Sequence, residues 1–168
     1  TFGFMVPSDP EDRWFNPELA GGTLLDMGVY PIAVSQWVTG MEPQTISSQV
    51  VMGETGVDVL TAVIFQYENG IVSQFSSNFI CNNLNDFTIF GTTGSIRLHP
   101  AYWATTKATL STAGQELTVE RPLRASGFEY QTEEAMRCIR AGLLESPKMS
   151  HADTLANMQH MDSIRAAN

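Results

Sequence analysis

Hydrophobic positions along the chain change their spacing twice, and each change predicts a different kind of element. From residue 23 to residue 38, apolar side chains recur every three or four positions, which is typical of a helix with one buried face. Over residues 45–121, short β-branched and aromatic runs alternate with polar residues and turns, which predicts about seven strands. After Pro122 the helical spacing returns and predicts one helix over 128–144 and a last helix over 150–165.

Local signals indicate where several of these elements begin and end. Thr23 and Ser150 are the expected N-caps of their helices, because a hydroxyl oxygen can accept a hydrogen bond from a free backbone amide. Pro31 lacks a backbone N–H, so we expect a kink or a restart of the helix there. Asn69–Gly70 predicts a tight hairpin turn between two strands, because both residues tolerate a positive φ.

The order of the elements predicts the fold class. A short strand over 2–6, a helix, a series of strands and two closing helices are typical of α+β proteins and not of doubly wound α/β proteins. We expect a single domain over residues 1–168, with an open, mostly antiparallel β-sheet and helices on one face. The strand over 72–79 mixes Ser, Gln and Asn with aromatic residues, so the open face is either solvated or a subunit interface, and we favour the interface.

Composition and charge exclude several classes of function. The chain has 168 residues, 43% of them hydrophobic, and 9 Lys and Arg against 18 Asp and Glu give a net charge of −9. This excess of acid repels a phosphate backbone and an anionic bilayer, so we expect neither nucleic acid nor membrane as a partner. Cys81 and Cys138 form no disulfide or zinc pattern and indicate a cytoplasmic location. The spacing of the histidines predicts no metal site.

The candidate chemistry lies on the helix that starts near residue 23. Asp26 and Tyr30 are four residues apart, so they share one face of that helix. A phenol is a useful proton donor only if it is held and electrostatically assisted, and a carboxylate can orient it or a substrate hydroxyl. Gly21 and Gly22 would let a ligand approach the helix start closely. On spacing alone, an exposed Asp26 and a core Tyr30 with a wet hydroxyl are the favoured interpretation.

No phosphate-binding loop is found in the sequence. Residues 91–95, with the letters GTTGS, are the nearest candidate, but they lack the Lys of a P-loop and the spacing of a dinucleotide-binding GxGxxG. They predict a turn between two strands. Any nucleotide site is therefore expected outside these 168 residues.

Longer segments of the chain resemble one family of oxidoreductases. Arg13 followed by residues 17–31, with the letters PELAGGTLLDMGVYP, is similar to a segment typical of the glucose–fructose oxidoreductase, inositol dehydrogenase and rhizopine-catabolism family (Gfo/Idh/MocA). Residues 90–98 resemble the mid-sheet turn of that family, and residues 128–147 and 150–165 resemble its closing helices. The resemblance covers nearly the whole chain in the right order.

The resemblance implies a two-domain enzyme of which this chain is the second half. Members join an N-terminal Rossmann domain, absent from this chain, to a C-terminal open-sheet α+β domain like that of glyceraldehyde-3-phosphate dehydrogenase. The implied function is substrate binding and dimerisation in an NAD(P)-dependent dehydrogenase acting on a sugar, polyol or diol. The open sheet face would form a homodimer. NAD or NADP would be bound mainly by the Rossmann domain, and none by these residues alone.

The resemblance also implies roles for individual residues. The family's catalytic helix carries Asp and then His or Tyr four residues later, which here are Asp26 and Tyr30. Tyr30 would give and take a proton, and Asp26 would position the substrate. Because it has Tyr where many relatives have His, the chain resembles the dihydrodiol dehydrogenase and glucose–fructose oxidoreductase branches of the family. Arg13 is a candidate contact for an anionic or hydroxyl-rich ligand, and a salt bridge to a nearby acid such as Glu11 or Glu18 is the alternative. The competing interpretation of the chain is a non-catalytic module that senses a ligand or interacts through its sheet.

Overall fold

The computed structural model describes residues 1–168 and divides them into two compact units. The first unit comprises residues 1–84 and 155–168, and the second unit comprises residues 85–154. The strands are β1 (Phe2–Gly3), β2 (Thr45–Met52), β3 (Asp58–Gln66), β4 (Val72–Asn78), β5 (Phe87–Gly91), β6 (Gly94–Leu98), β7 (Lys107–Thr112) and β8 (Gln115–Glu120). The helices are a 3-10 turn (Pro17–Leu19), a π-helical segment (Leu24–Gly28), α1 (Val29–Thr39), a second 3-10 turn (Glu68–Gly70), α2 (Phe128–Arg140) and α3 (His151–Ala166). None of these helices combines the length and the apolar composition that a membrane span requires.

The first unit is a four-stranded sheet with helices on one face. The strand order is β1-β4-β3-β2, with β1 parallel to β4 and the other neighbours antiparallel. Alternate side chains of β3 point to opposite faces, so Val63 and Phe65 are buried whereas Ile64 is 43% exposed. The buried side chains form one cluster: Leu24, Ile32, Val63, Phe65, Tyr67, Phe75, Met161 and Ile164. The predicted α+β class, with open, mostly antiparallel sheet and helices on one face, is confirmed.

Two of the predicted boundary signals are confirmed in detail. Asn69 and Gly70 have φ of 64° and 76° in the turn between β3 and β4, as a tight hairpin requires. The Ser150 hydroxyl accepts a hydrogen bond from the Asp153 amide at 3.1 Å, and the Ser150 amide donates to the Asp153 carboxylate at 2.8 Å. This reciprocal pair is a capping box at the start of α3. The amide and hydroxyl of Ser150 hold the pKa of the Asp153 carboxyl below its usual value.

The long helix of the first unit begins differently from the prediction. Thr23 is fully buried, and its hydroxyl caps no amide of its own helix. The helix changes from π to α geometry at Val29, two residues before the predicted position, and α1 runs through Pro31 to Thr39. Pro31 therefore lies in the first turn of α1, where a missing N–H is tolerated.

The strands form two sheets and not the single sheet that the sequence predicts. The amides of Ile80 and Cys81 donate to the Asn78 side-chain oxygen at 3.0 and 2.8 Å, so the chain turns out of the first sheet at the end of β4. The next four strands pair in the order β5-β6-β7-β8, all antiparallel, within the second unit. One apolar row crosses all four strands: Ile89, Ile96, Leu110 and Leu117.

Helix α2 is shorter and more exposed than the spacing predicts. It ends at Arg140 and not near residue 144, and Gly142 takes a φ of 69° that breaks the helix. Cys138 is its only buried residue. Phe128 and Ile139, which the helical spacing places on one face, are 70% and 75% exposed.

Phe65→Ala tests the core of the first unit. The ring is 1% exposed and meets the rings of Tyr67 and Phe75 edge-on, with centroids 6.3 and 5.8 Å away. We expect the free energy of unfolding, measured with urea, to fall by about 3–5 kcal/mol because the cavity cannot close completely. The control Phe90→Ala removes a ring that is 83% exposed. It should change stability by less than about 0.5 kcal/mol, and equal losses in both variants would contradict this core.

Candidate functional site

A carboxylate from the sheet holds the start of the helix that carries the candidate residues. Asp58 is the first residue of β3, and its Oδ2 accepts a hydrogen bond from the Leu24 amide at 2.7 Å. The Thr23 and Thr61 hydroxyls donate to the same oxygen at 2.8 and 2.9 Å, and both residues are fully buried. An anion at a helix start satisfies free amides and complements the positive end of the helix dipole. Asp58 therefore does the capping that was predicted for Thr23.

At Gly21 and Gly22, the space that a side chain would need is filled by other atoms of the chain. A Cβ at Gly21 would lie 2.8 to 3.0 Å from three carbonyl oxygens of the preceding loop, in residues 13–16. Gly22 has a φ of 115°, and a Cβ there would overlap the Asp58 carboxylate. The two glycines thus let the loop and Asp58 close on the helix start. Their predicted contact with a ligand is a separate role and stays a prediction.

Arg13 and Asp26 form an ion pair at this helix start. Nη1 of Arg13 lies 2.7 Å from Oδ1 of Asp26, and the two side chains are 61% and 25% exposed. The salt bridge that the sequence offered as an alternative is therefore present, but its partner is neither Glu11 nor Glu18. Exposed ion pairs contribute only about 0.2–1 kcal/mol to stability. The main consequence of this pair is the fixed orientation of the Asp26 carboxylate.

Tyr30 lies in the first turn of α1, four residues after Asp26. Its ring packs edge-on against Phe2 of β1, with centroids 5.2 Å apart and planes at 79°. The residue is nevertheless 44% exposed, and its hydroxyl forms no hydrogen bond within the chain. Tyr30 is thus anchored at the ring and open at the hydroxyl, and it is not a core side chain.

The arrangement presents two unused polar atoms on one helical segment. Oδ2 of Asp26 accepts no hydrogen bond within the chain, and the Tyr30 hydroxyl is likewise unpartnered. A carboxylate accepts hydrogen bonds from hydroxyl groups, whereas a phenol can both donate and accept a proton. The two groups can therefore orient a hydroxyl-bearing ligand and transfer a proton at one of its oxygens.

Arg13 and the helix start each have an acidic partner within the chain. Arg13 is the cation beside Asp26, and Asp26 already matches its charge. Helix starts often bind anions, but this one is occupied by the Asp58 carboxylate. No group of three or more metal-ligating side chains comes together in the chain.

Sequence reasoning missed Asp58, the residue that fixes the helix start. Its partners Leu24 and Thr23 are 34 and 35 residues away, so no local pattern connects them. The one available signal was a carboxylate at the first position of a β-branched run, where acids are disfavoured.

Comparison with known proteins identifies the class. Residues 1–97, more than half of the chain, match the family model of the GFO/IDH/MocA C-terminal domain. The chain therefore belongs to this family, and the resemblance found in the sequence is confirmed.

The relatives are about twice as long as the chain. Trans-1,2-dihydrobenzene-1,2-diol dehydrogenase of Danio rerio is 31% identical over 160 residues, which covers 91% of this chain and 48% of that protein. D-xylose 1-dehydrogenase (NADP(+)) 2 of Haloferax volcanii is 23% identical, covering 97% of this chain and 50% of that protein. The chain thus spans about half the length of the relatives it matches.

Solved structures show the same fold. The aldose-aldose oxidoreductase from Caulobacter crescentus complexed with glycerol matches with a TM-score of 0.84 and 22% identity, over 99% of this chain and 51% of that one. A 3-ketoreductase from Actinomadura kijaniata, in complex with NADP and TDP-benzene, matches with a TM-score of 0.82 and 19% identity, over 98% and 51%. These matches confirm the α+β fold.

Asp58→Ala tests the capping of the helix start. We expect the free energy of unfolding to fall by about 2 kcal/mol, because one amide and two buried hydroxyls lose a charged acceptor. Asp58→Asn keeps an oxygen acceptor and should give an intermediate loss. The control Asp162→Ala removes an exposed carboxylate that makes no hydrogen bond within the chain. Urea unfolding measures all three, and a loss in Asp58→Ala no larger than the control's would contradict the cap.

Proposed function

We propose that this chain is the substrate-binding and dimerisation domain of an NAD(P)-dependent dehydrogenase acting on a sugar, polyol or diol. The observation that carries the proposal is an oriented Asp26 beside an anchored Tyr30 with a free hydroxyl. The family match and the names of a diol dehydrogenase and a xylose dehydrogenase among the relatives support it. The proposal includes an N-terminal Rossmann domain as the partner that binds the cofactor. Two free cysteines agree with the cytoplasmic location that we also propose.

Tyr30 is the proposed proton donor and acceptor. A bound nicotinamide would supply the exchange of hydride with the substrate carbon. In the direction of reduction the Tyr30 hydroxyl gives its proton to the substrate oxygen, and in the direction of oxidation the phenolate takes the proton from the substrate hydroxyl. The edge-on contact with Phe2 limits the movement of the ring, which proton transfer over a hydrogen-bond distance requires.

Asp26 is proposed to position the substrate. Its free Oδ2 accepts a hydrogen bond from a substrate hydroxyl, and because a carboxylate is an acceptor only, it favours ligands that carry a hydrogen-bond donor such as a hydroxyl. Gly21 and Gly22 remain the proposed points where such a ligand approaches the backbone. This set of groups suits a substrate with at least two neighbouring oxygens, one for Tyr30 and one for Asp26.

A non-catalytic module that senses a ligand or interacts through its sheet is the alternative function. The feature that prompts it is that these 168 residues contain neither a P-loop nor a dinucleotide-binding GxGxxG pattern. The two functions differ in one measurable respect, which is whether the hydroxyl of Tyr30 is needed for turnover.

Tyr30→Phe tests the proton-transfer role in the complete protein that contains this chain. With NAD or NADP and a panel of aldoses, polyols and diols, we expect kcat to fall by at least about 100-fold. Stability should not change, because phenylalanine keeps the ring that packs on Phe2. The control Tyr130→Phe makes the same chemical change at a residue that is also 44% exposed, and it should keep full activity. Full turnover in Tyr30→Phe would contradict the role, and no oxidoreductase activity with any substrate favours the alternative.

The open face of the first sheet is the proposed dimer surface. The face opposite the core carries uncharged side chains in paired rows: Ser47, Ile64 and Gln74, then Gln49, Ala62 and Ser76. Depletion of charge is typical of the centre of a subunit interface. Phe75, one of the aromatic residues that prompted the interface prediction, is buried on the core side and does not contribute to this face.

Ile64→Lys tests this surface. Ile64 is 43% exposed and lies between two neighbouring strands, so a charge there would have to be buried in the dimer. We expect sedimentation analysis to show a dimer for the complete protein and a shift toward monomer in this variant. The control Ile71→Lys changes the same residue type at 41% exposure in the hairpin turn and should leave the dimer intact. A dimer unaffected by Ile64→Lys would exclude this face.

A further inference from the structure

We propose that Arg13 is a positioning residue, which acts on the reaction through Asp26 by orienting its carboxylate. The inference rests on the proposed function and assigns part of it to a side chain that need not touch the substrate. The ligand contact predicted for Arg13 from the sequence is the competing role, and the two roles have different kinetic consequences.

Asp26 is oriented by a single contact. Its Oδ1 accepts one hydrogen bond, from Nη1 of Arg13 at 2.7 Å, and no other side chain or amide reaches the carboxylate. Without that contact, rotation about the side-chain torsions would move both oxygens relative to the helix. Since Oδ1 is held, Oδ2 has a defined place from which to accept a hydrogen bond from a ligand.

Arg13 is itself held, which separates it from an ordinary surface arginine. The centre of its guanidinium lies 5.1 Å from the centroid of the Trp14 ring, within the range of a cation–π contact. The Trp14 ring meets Phe4 and Phe79, with centroids 6.1 and 6.2 Å away. The Trp14 carbonyl accepts the Gly22 amide at 2.9 Å, which ties the loop to the helix start. The guanidinium is therefore placed before any ligand binds.

Stability alone does not account for such an arrangement. The pair is 61% exposed on the Arg13 side, and exposed ion pairs stabilise proteins little. The second unit contains another Arg–Asp pair for comparison, in which Nε and Nη2 of Arg97 lie 3.0 and 2.8 Å from Oδ2 of Asp86, with exposures of 44% and 22%. If Arg13 served stability alone, removing it would resemble removing Arg97.

A double-mutant cycle in the complete protein separates the roles. Arg13→Gln, Asp26→Asn and the double variant are compared by kcat and KM, with NAD or NADP and the best substrate of the panel. We expect Arg13→Gln alone to lower kcat by about 10- to 100-fold, because the carboxylate is misplaced. Added to Asp26→Asn, it should change kcat by less than about twofold, since residues acting through one group are not additive. Arg13→Lys should recover part of the loss, because the pair uses one N–O contact that an ammonium can also make.

The other outcomes each overturn a stated claim. A raised KM in Arg13→Gln, with an equal further loss in the Asp26→Asn background, would show direct ligand contact and overturn the positioning role. A fall in kcat no larger than that of the control Arg97→Gln would also overturn it. If Asp26→Asn alone keeps full kcat and KM, the proposed role of Asp26 fails and the inference fails with it. If Asp26→Asn is impaired and the cycle is additive, only the inference about Arg13 fails.

Discussion

The carboxylate of Asp58 joins the first sheet to the helix that carries the candidate chemistry. It accepts hydrogen bonds from a helix amide and from hydroxyls on both sides, so moving either element would leave a buried donor unpaired. Thr23 extends the network to β4, where its hydroxyl lies 3.3 Å from the Ser77 carbonyl oxygen and 3.2 Å from the Ser77 hydroxyl. The helix start is therefore fixed against two strands at once. That constraint fixes the backbone from which the side chains of Asp26 and Tyr30 project.

The π-helical segment explains why the helix start needs support from outside. π-helical turns are rare, and where they occur they are frequent at functional sites. Here the turn spans Leu24–Gly28, and Gly28 has no side chain to collide with Leu24, whose Cδ1 would lie 2.8 Å from an added Cβ. The turn is thus stabilised by Asp58 at its first amide and by glycine at its end. Its place between the cap and α1 puts Asp26 in a segment held from both sides.

Elements that depend on local spacing could be predicted from the sequence, and contacts between distant residues could not. The hairpin at Asn69–Gly70 follows from residues that are neighbours in the chain, and so does the capping box at Ser150. The Asp58 cap joins residues 34 positions apart, and no periodicity connects them. The same limit applies to the ion-pair partner of Arg13. Several acids lie closer to Arg13 in the sequence than Asp26 does, and only the fold brings Asp26 into contact with it. Where the chain leaves the first sheet, the Asn78 side chain accepts two backbone amides, and no sequence pattern predicts those contacts.

In the family segment over residues 13–31, the packing of the loop on the helix start determines where the Asp26 carboxylate lies. In the sequence, Gly21 and Gly22 predict room for a ligand near the helix start. In the structure, the space beside Gly21 holds loop carbonyls and the space beside Gly22 holds the Asp58 carboxylate. Because the loop can close on the helix, Arg13 comes within 2.7 Å of Asp26. A side chain at Gly21 would push that loop away and release the carboxylate without touching it. The glycines therefore affect Asp26 indirectly, because they determine the position of the Arg13 guanidinium that contacts it.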